Sequence, residues 1–136
     1  MPSSLTSASA RLHKVFVVDD NRDAADTLGM FLALEGYDVR VAYDGDEAIR
    51  EADAFHPEVA LLDIGLPGTN GYEVARHMRR EQDGDLMLIA VTGYASDDDV
   101  ARSLAAGFDW HFGKPASLPA LLEKIHDRLG DRPAIR

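Results

Sequence analysis

The sequence predicts a doubly wound α/β domain built on a five-stranded parallel sheet in the order 2-1-3-4-5, and three observations lead there. Short apolar runs alternate with helical patterns along the whole chain, the runs being Val15–Val18, Val39–Ala42, Val59–Leu62, Leu86–Val91 and Trp110–Phe112. The first, third and fourth runs are almost continuously apolar, as strands covered on both faces of a parallel sheet are. The second and fifth alternate instead, as Asp38-Val39-Arg40-Val41 and Asp109-Trp110-His111-Phe112, which suits strands at the sheet margins.

Taken in order, the first strand runs into Asp19-Asp20-Asn21 and a helical pattern that stops at Gly36, where a left-handed residue closes a helix. Asp44 with Glu47, Asn70 with Glu73, and Ser96 with Asp99 each set a capping side chain three residues before an acid. That is close to the capping-box pattern and marks the starts of the second, third and fourth helices. Asp97-Asp98-Asp99 puts negative charge where a helix macrodipole favours it. In the last helix, Leu118, Leu121, Leu122, Ile125 and Leu129 form an apolar stripe at helical spacing, which reads as core. Strand–helix alternation with right-handed crossovers leaves few topologies. Margins at the second and fifth strands select the flavodoxin-like (βα)5 order among them.

At 136 residues the chain suits one domain with a real core. Residues 13–130 are expected to form it, with 1–12 a Ser/Thr/Ala-rich flexible leader and 131–136 a short tail that no output domain follows. Cysteine is absent, which removes disulfides and thiolate metal sites and suits a reducing cytoplasm. Acidic residues outnumber basic ones 24 to 14, for a net charge of -10. Phosphate backbones and anionic lipid repel such a chain, so neither nucleic acid nor membrane is expected as a partner. No run approaches the roughly 20 apolar residues of a membrane span, and the expected location is cytoplasmic.

Ligands of open α/β sheets bind at the carboxyl ends of the strands. There the first strand ends in Asp19-Asp20, the third in Asp63, the fourth in Thr92 and the fifth in Lys114-Pro115. Each has a bland reading: acids after a strand cap the next helix, Asp63 before Pro67 and Gly71 makes a turn, and Lys114-Pro115 makes a loop. Their convergence on one rim is what points to chemistry. Two unit charges about 4 Å apart interact by roughly 4 kcal/mol at an effective dielectric of 20, so three clustered carboxylates call for neutralisation. A hard divalent cation such as Mg²⁺ takes few carboxylates and keeps positions for water and phosphate oxygens. With Lys114 as a second positive charge and Thr92 as a hydroxyl donor, the set suits phosphoryl transfer to a carboxylate.

The strings Val17-Val18-Asp19-Asp20-Asn21, Leu62-Asp63-Ile64-Gly65-Leu66-Pro67-Gly68, Val91-Thr92-Gly93 and Gly113-Lys114-Pro115 closely resemble the receiver domains of response regulators and hybrid histidine kinases. The resemblance spans nearly all of Lys14 to Leu129. It implies that Asp63 is the phospho-accepting aspartate, Asp20 a direct Mg²⁺ ligand, Asp19 a ligand through water, and Gly65 a ligand through its backbone carbonyl. It further implies that Thr92 is the switch hydroxyl, Lys114 its ion-pair partner, and Lys114-Pro115 a cis peptide. The donor would be a histidine kinase or histidine phosphotransfer protein, and a downstream protein would read the phosphorylated form. Such a protein is not an enzyme in the usual sense. It is a signalling phosphoprotein that catalyses only its own phosphorylation and a slow self-dephosphorylation.

One position departs from the pattern. Receivers often carry Tyr or Phe three residues before the lysine, where His111 stands here beside Trp110. His111 is expected to point outward from an edge strand rather than switch inward. The resemblance places the readout face around Asp98 to Arg102, Trp110, His111 and Leu118 to Leu122. The remaining histidines, His13, His56, His77 and His126, lack ligand-like spacing and read as surface or loop residues.

Three other readings fit these residues less well. A flavin binder of the same strand order needs phosphate donors after the first strand, where Asp19-Asp20 would repel. In metal-dependent phosphatases with an aspartate nucleophile, two acids alternate after the first strand, whereas here they are adjacent and the best nucleophile follows the third. A receiver that binds partners without phosphorylation would not need the full set of strand-end residues.

Overall fold

The computed structural model describes residues 12–82 and 85–130, so the leader (save Leu12) and the 131–136 tail lie outside the described residues. Five parallel strands, β1 (Lys14–Val18), β2 (Asp38–Ala42), β3 (Val59–Leu62), β4 (Met87–Thr92) and β5 (Trp110–Gly113), form one sheet in the order β2-β1-β3-β4-β5. Five helices connect and follow them: α1 (Arg22–Leu34), α2 (Gly45–Phe55), α3 (Gly71–Gln82), α4 (Asp97–Ala105) and α5 (Leu118–Leu129).

The period-two geometry of a strand divides each one between two cores. Along β1, Val15 and Val17 face a layer with Ala25 and Leu32 of α1 and Leu121 and Ile125 of α5. Phe16 and Val18 face the opposite layer, with Ala48 and Ala52 of α2 and Val74, Ala75 and Met78 of α3. Being covered on both sides, β3 is buried at every residue, which explains its unbroken apolar run. The margins β2 and β5 keep exposed residues, as their alternation predicts. Of the α5 stripe, Leu121 and Ile125 are buried while Leu118, Leu122 and Leu129 are half-buried along its flanks.

The caps behave largely as read. Asn70 and Glu73 exchange backbone–side-chain hydrogen bonds of 3.2 and 3.1 Å, and Ser96 and Asp99 close a full capping box on α4. Asp44 accepts from the Glu47 amide at 2.8 Å, but Glu47 reaches one residue further back, to the Tyr43 amide. Gly36 adopts φ +100° after α1, a conformation that glycine takes without a Cβ penalty. The predicted fourth strand shifts by one residue. Leu86 is buried but lies just before the ladder, where its carbonyl accepts from the Arg79 guanidinium. The same guanidinium donates to the Gly107 carbonyl at 2.6 Å and to Asp109 at 3.0 Å, and so ties α3 to the approaches of β4 and β5.

Candidate functional site

Because every strand runs the same way, all five carboxyl ends share one rim. Asp19 follows β1, Asp63 follows β3, Thr92 ends β4, and Lys114 follows β5. The Lys114 ammonium donates to Asp19 Oδ2 at 2.8 Å and to Asp63 Oδ2 at 3.0 Å, bridging two strand ends across the central groove. Each carboxylate uses its other oxygen locally. Asp19 Oδ1 accepts from the Asn21 amide at 3.0 Å, and Asp63 Oδ1 from the Gly65 amide at 3.1 Å. Asp20 is exposed, and carboxylate oxygens of Asp19, Asp20 and Asp63 all lie within 4.8 Å of one another. Thr92 is fully buried, and its Oγ1 accepts from the Tyr94 amide at 3.3 Å. The Lys114-Pro115 peptide is cis, as expected from the resemblance.

Electrostatically, the cluster carries three acids against one ammonium. Burial pushes the Asp19 carboxyl above its ordinary value of 3.8; the Lys114 and Asn21 bonds oppose that shift, and the neighbouring charge of Asp63 adds to it. Burial alone would pull Lys114 down, yet its bonds to Asp19 and Asp63 prevail and hold it above 10.5, firmly protonated. Three oxygen donors around an excess of negative charge fit a hard divalent cation. The fit rests on these carboxylates and on Lys114 being too little to balance them.

The backbone around Asp63 is packed with little tolerance. A Cβ on Gly71, the first residue of α3, would lie 2.5 Å from the Asp63 carbonyl oxygen and 2.6 Å from Ile64 Cα. The N-terminus of α3 therefore presses directly against the chain that presents Asp63.

The family model for the response regulator receiver domain matches residues 15–126. The chain belongs to that family. Its fold overlays a receiver domain protein (CheY-like) from Methanospirillum hungatei JF-1 with a TM-score of 0.82 and 34% identity, covering 88% of this chain and 94% of that one. A BeF3-activated DrrB receiver domain gives 0.80 at 26% identity, over 88% and 99% of the two chains. A response regulator protein from Burkholderia pseudomallei, bearing a phosphorylated aspartic acid, a calcium ion and citrate, gives 0.76 at 28%, over 88% and 75%. The flavodoxin-like architecture is thus that of a receiver domain of a two-component response regulator.

Within this receiver, Asp19, Asp20, Asp63 and Lys114 come together, with Thr92 and Gly65 at the ends of the same neighbouring segments. Trp110 lies apart on the β5 margin, 42% exposed, with the Lys124 ammonium 3.8 Å from its ring centroid. His111 departs from the outward position expected of it. Its half-buried ring bridges to α4 and to the β4–α4 loop, Nδ1 standing 2.9 Å from Ser103 Oγ and Nε2 2.8 Å from the Tyr94 carbonyl oxygen. Alternation along an edge strand identifies which face a residue takes, not which neighbour waits there. Ser103, the buried partner, carried no signal in the sequence beyond its helical position. Of the remaining histidines, His13 pairs with Glu58 and His77 with Asp53, both half-buried, while His126 departs from the surface reading, its side chain largely covered on α5 beside the Tyr37 ring.

Proposed function

We propose that Asp63 accepts a phosphoryl group from a phosphohistidine on a histidine kinase or phosphotransfer protein. The observation that carries this reading is the Lys114 ammonium held between Asp63 and Asp19 beside a third carboxylate. An Asp63 oxygen attacks phosphorus while the bond from phosphorus to the donor imidazole nitrogen breaks, and the imidazole leaves with that electron pair. Lys114 meets charge on the transferred oxygens, and the Thr92 hydroxyl is the neutral donor at the adjoining strand end. Asp20, Asp63 and the Gly65 carbonyl, with Asp19 behind them, would hold Mg²⁺, which when bound supplies the positive charge that the acids and the phosphoryl oxygens require. A groove of about 790 Å³ between α1 and the segment after β5 supports a protein donor. It starts at Asp19 and Lys114 and continues over Leu28, Phe31 and Leu118.

The product adds a charge of roughly -1.5 to -2 at one strand end, enough to bias a two-state domain toward a form that a downstream protein reads. In this reading the protein is a cytoplasmic signalling phosphoprotein rather than a turnover enzyme. Incubation with a small phosphodonor and Mg²⁺ should place one phosphoryl group on the wild type and none on Asp63→Asn. Labelling of that variant at Asp19 or Asp20, or multiple turnover on a phosphomonoester, would overturn the proposal.

A further inference from the structure

Tyr94 is bound at three points to three different parts of the site. Its amide donates to Thr92 Oγ1 at 3.3 Å, and its carbonyl accepts from His111 Nε2 at 2.8 Å. Its ring lies on Gly65, where a Cβ would come within 2.7 Å of Cε2. The ring is nonetheless 58% exposed, so burial does not fix it there. Its placement over the loop after Asp63 is set through its backbone, which the side chains of Thr92 and His111 hold at the amide and at the carbonyl, His111 by the shorter bond.

The grip is anchored on both sides. A carbonyl oxygen only accepts, so His111 Nε2 carries a proton. His111 Nδ1 meets Ser103 Oγ at 2.9 Å, and Ser103 is fully buried in α4 with its hydroxyl 2.8 Å from the Val100 carbonyl oxygen. A neutral ring takes the hydroxyl hydrogen at Nδ1. A protonated ring donates to Oγ, which then donates to Val100. Both ring nitrogens are satisfied in either state, so the link survives a change of protonation.

We infer that His111 is a positioning residue: by holding the Tyr94 carbonyl it keeps the Tyr94 ring over Gly65 and sets how readily water reaches a phosphoryl group on Asp63. This rests on the acceptor reading of Asp63. The ring carries no chemistry itself and acts through Tyr94. His111→Phe preserves an aromatic of similar size and deletes both hydrogen bonds. His111→Gln keeps an N–H donor at about the reach of Nε2.

The test is the decay rate of the Asp63 phosphoryl group after removal of a small phosphodonor, in the full chain. His111→Phe should decay about fivefold faster, the factor that one ordinary hydrogen bond is worth. His111→Gln should restore most of the wild-type lifetime, and His111→Phe should add nothing in a Tyr94→Ala background, because the two act through one ring. An unchanged decay in His111→Phe, or the same acceleration with and without the Tyr94 ring, would overturn the inference. Should His111→Phe fail to fold, Ser103→Ala loosens the far anchor with His111 intact; a faster decay supports the inference and a wild-type rate overturns it. Normal labelling with unresponsive variants sinks this inference alone, whereas a wild type that takes no phosphoryl group sinks the acceptor reading and this with it.

Discussion

Gly65 and Tyr94 fit as a pair, since the tyrosine ring occupies the space that any other side chain at position 65 would need. In the proposed reading, hydrolysis of the aspartyl phosphate requires a water in line with the bond to Asp63, and the Tyr94 ring packed on Gly65 crowds the segment just after Asp63. Gly65→Asn should push the ring aside and present an amide in its place. Combined with Tyr94→Glu it should shorten the phosphoryl half-life about tenfold, less than the roughly 10²–10⁴-fold that an optimally positioned general acid or base contributes. Phosphoryl decay followed by phosphate release measures it, and a double variant no faster than wild type would show that other groups control the water. The acids, Thr92 and Lys114 were legible in the sequence because strand ends are legible and the parallel sheet brings them to one rim. The His111–Tyr94–Ser103 link was not, because it joins side-chain and backbone atoms of three residues whose meeting depends on how α4 packs beside β5.

Among the elements, α3 illustrates how much of the site is set from behind. Its first residue, Gly71, reads in sequence as turn punctuation after Pro67, and only the packed structure shows the Asp63 backbone within 2.5 Å of where its Cβ would be. The atoms in the way belong to the main chain, so they cannot swing aside as a flexible side chain would. Gly71→Ala should therefore cost about 1–3 kcal/mol, as overpacking does. It should also slow phosphorylation by displacing Asp63 from Lys114. Urea unfolding checks the first effect and labelling kinetics the second. A variant as stable and as quickly labelled as wild type would mean that α3 shifts freely. The capping acids of α3 and α4 were legible because capping is a local interaction between residues three apart. Arg79 was not, since its guanidinium spans from α3 to the Gly107 carbonyl and Asp109, far along the chain.

For the molecule as a whole, the site trades stability for charge. The chain's net charge is -10, and three of its acids crowd one rim with Lys114 as their neutralising partner there. Burial raises the Asp19 carboxyl above 3.8, so the folded protein binds that proton more tightly than the unfolded chain does. The stability this gives is complete below about 3.8 and is lost as pH rises through the raised folded value. Above that raised folded value Asp19 is ionised in both states and its burial counts against the fold. Asp19→Asn should then raise the unfolding midpoint at pH 7 without Mg²⁺, Lys114 keeping its 3.0 Å bond to Asp63. The advantage should shrink as pH falls toward 3.8, where wild-type Asp19 becomes neutral as well. Mg²⁺ should stabilise the wild type by mass action, by about 2.7 kcal/mol at a hundredfold excess over Kd. It should do so much less in Asp20→Asn, which loses the exposed carboxylate of the cluster. Thermal melts at pH 7 and near pH 4, each with and without Mg²⁺, separate the two effects. A wild type indifferent to Mg²⁺, or an Asp19→Asn variant less stable than wild type at pH 7, would mean that Lys114 already balances the cluster and that no cation is needed there.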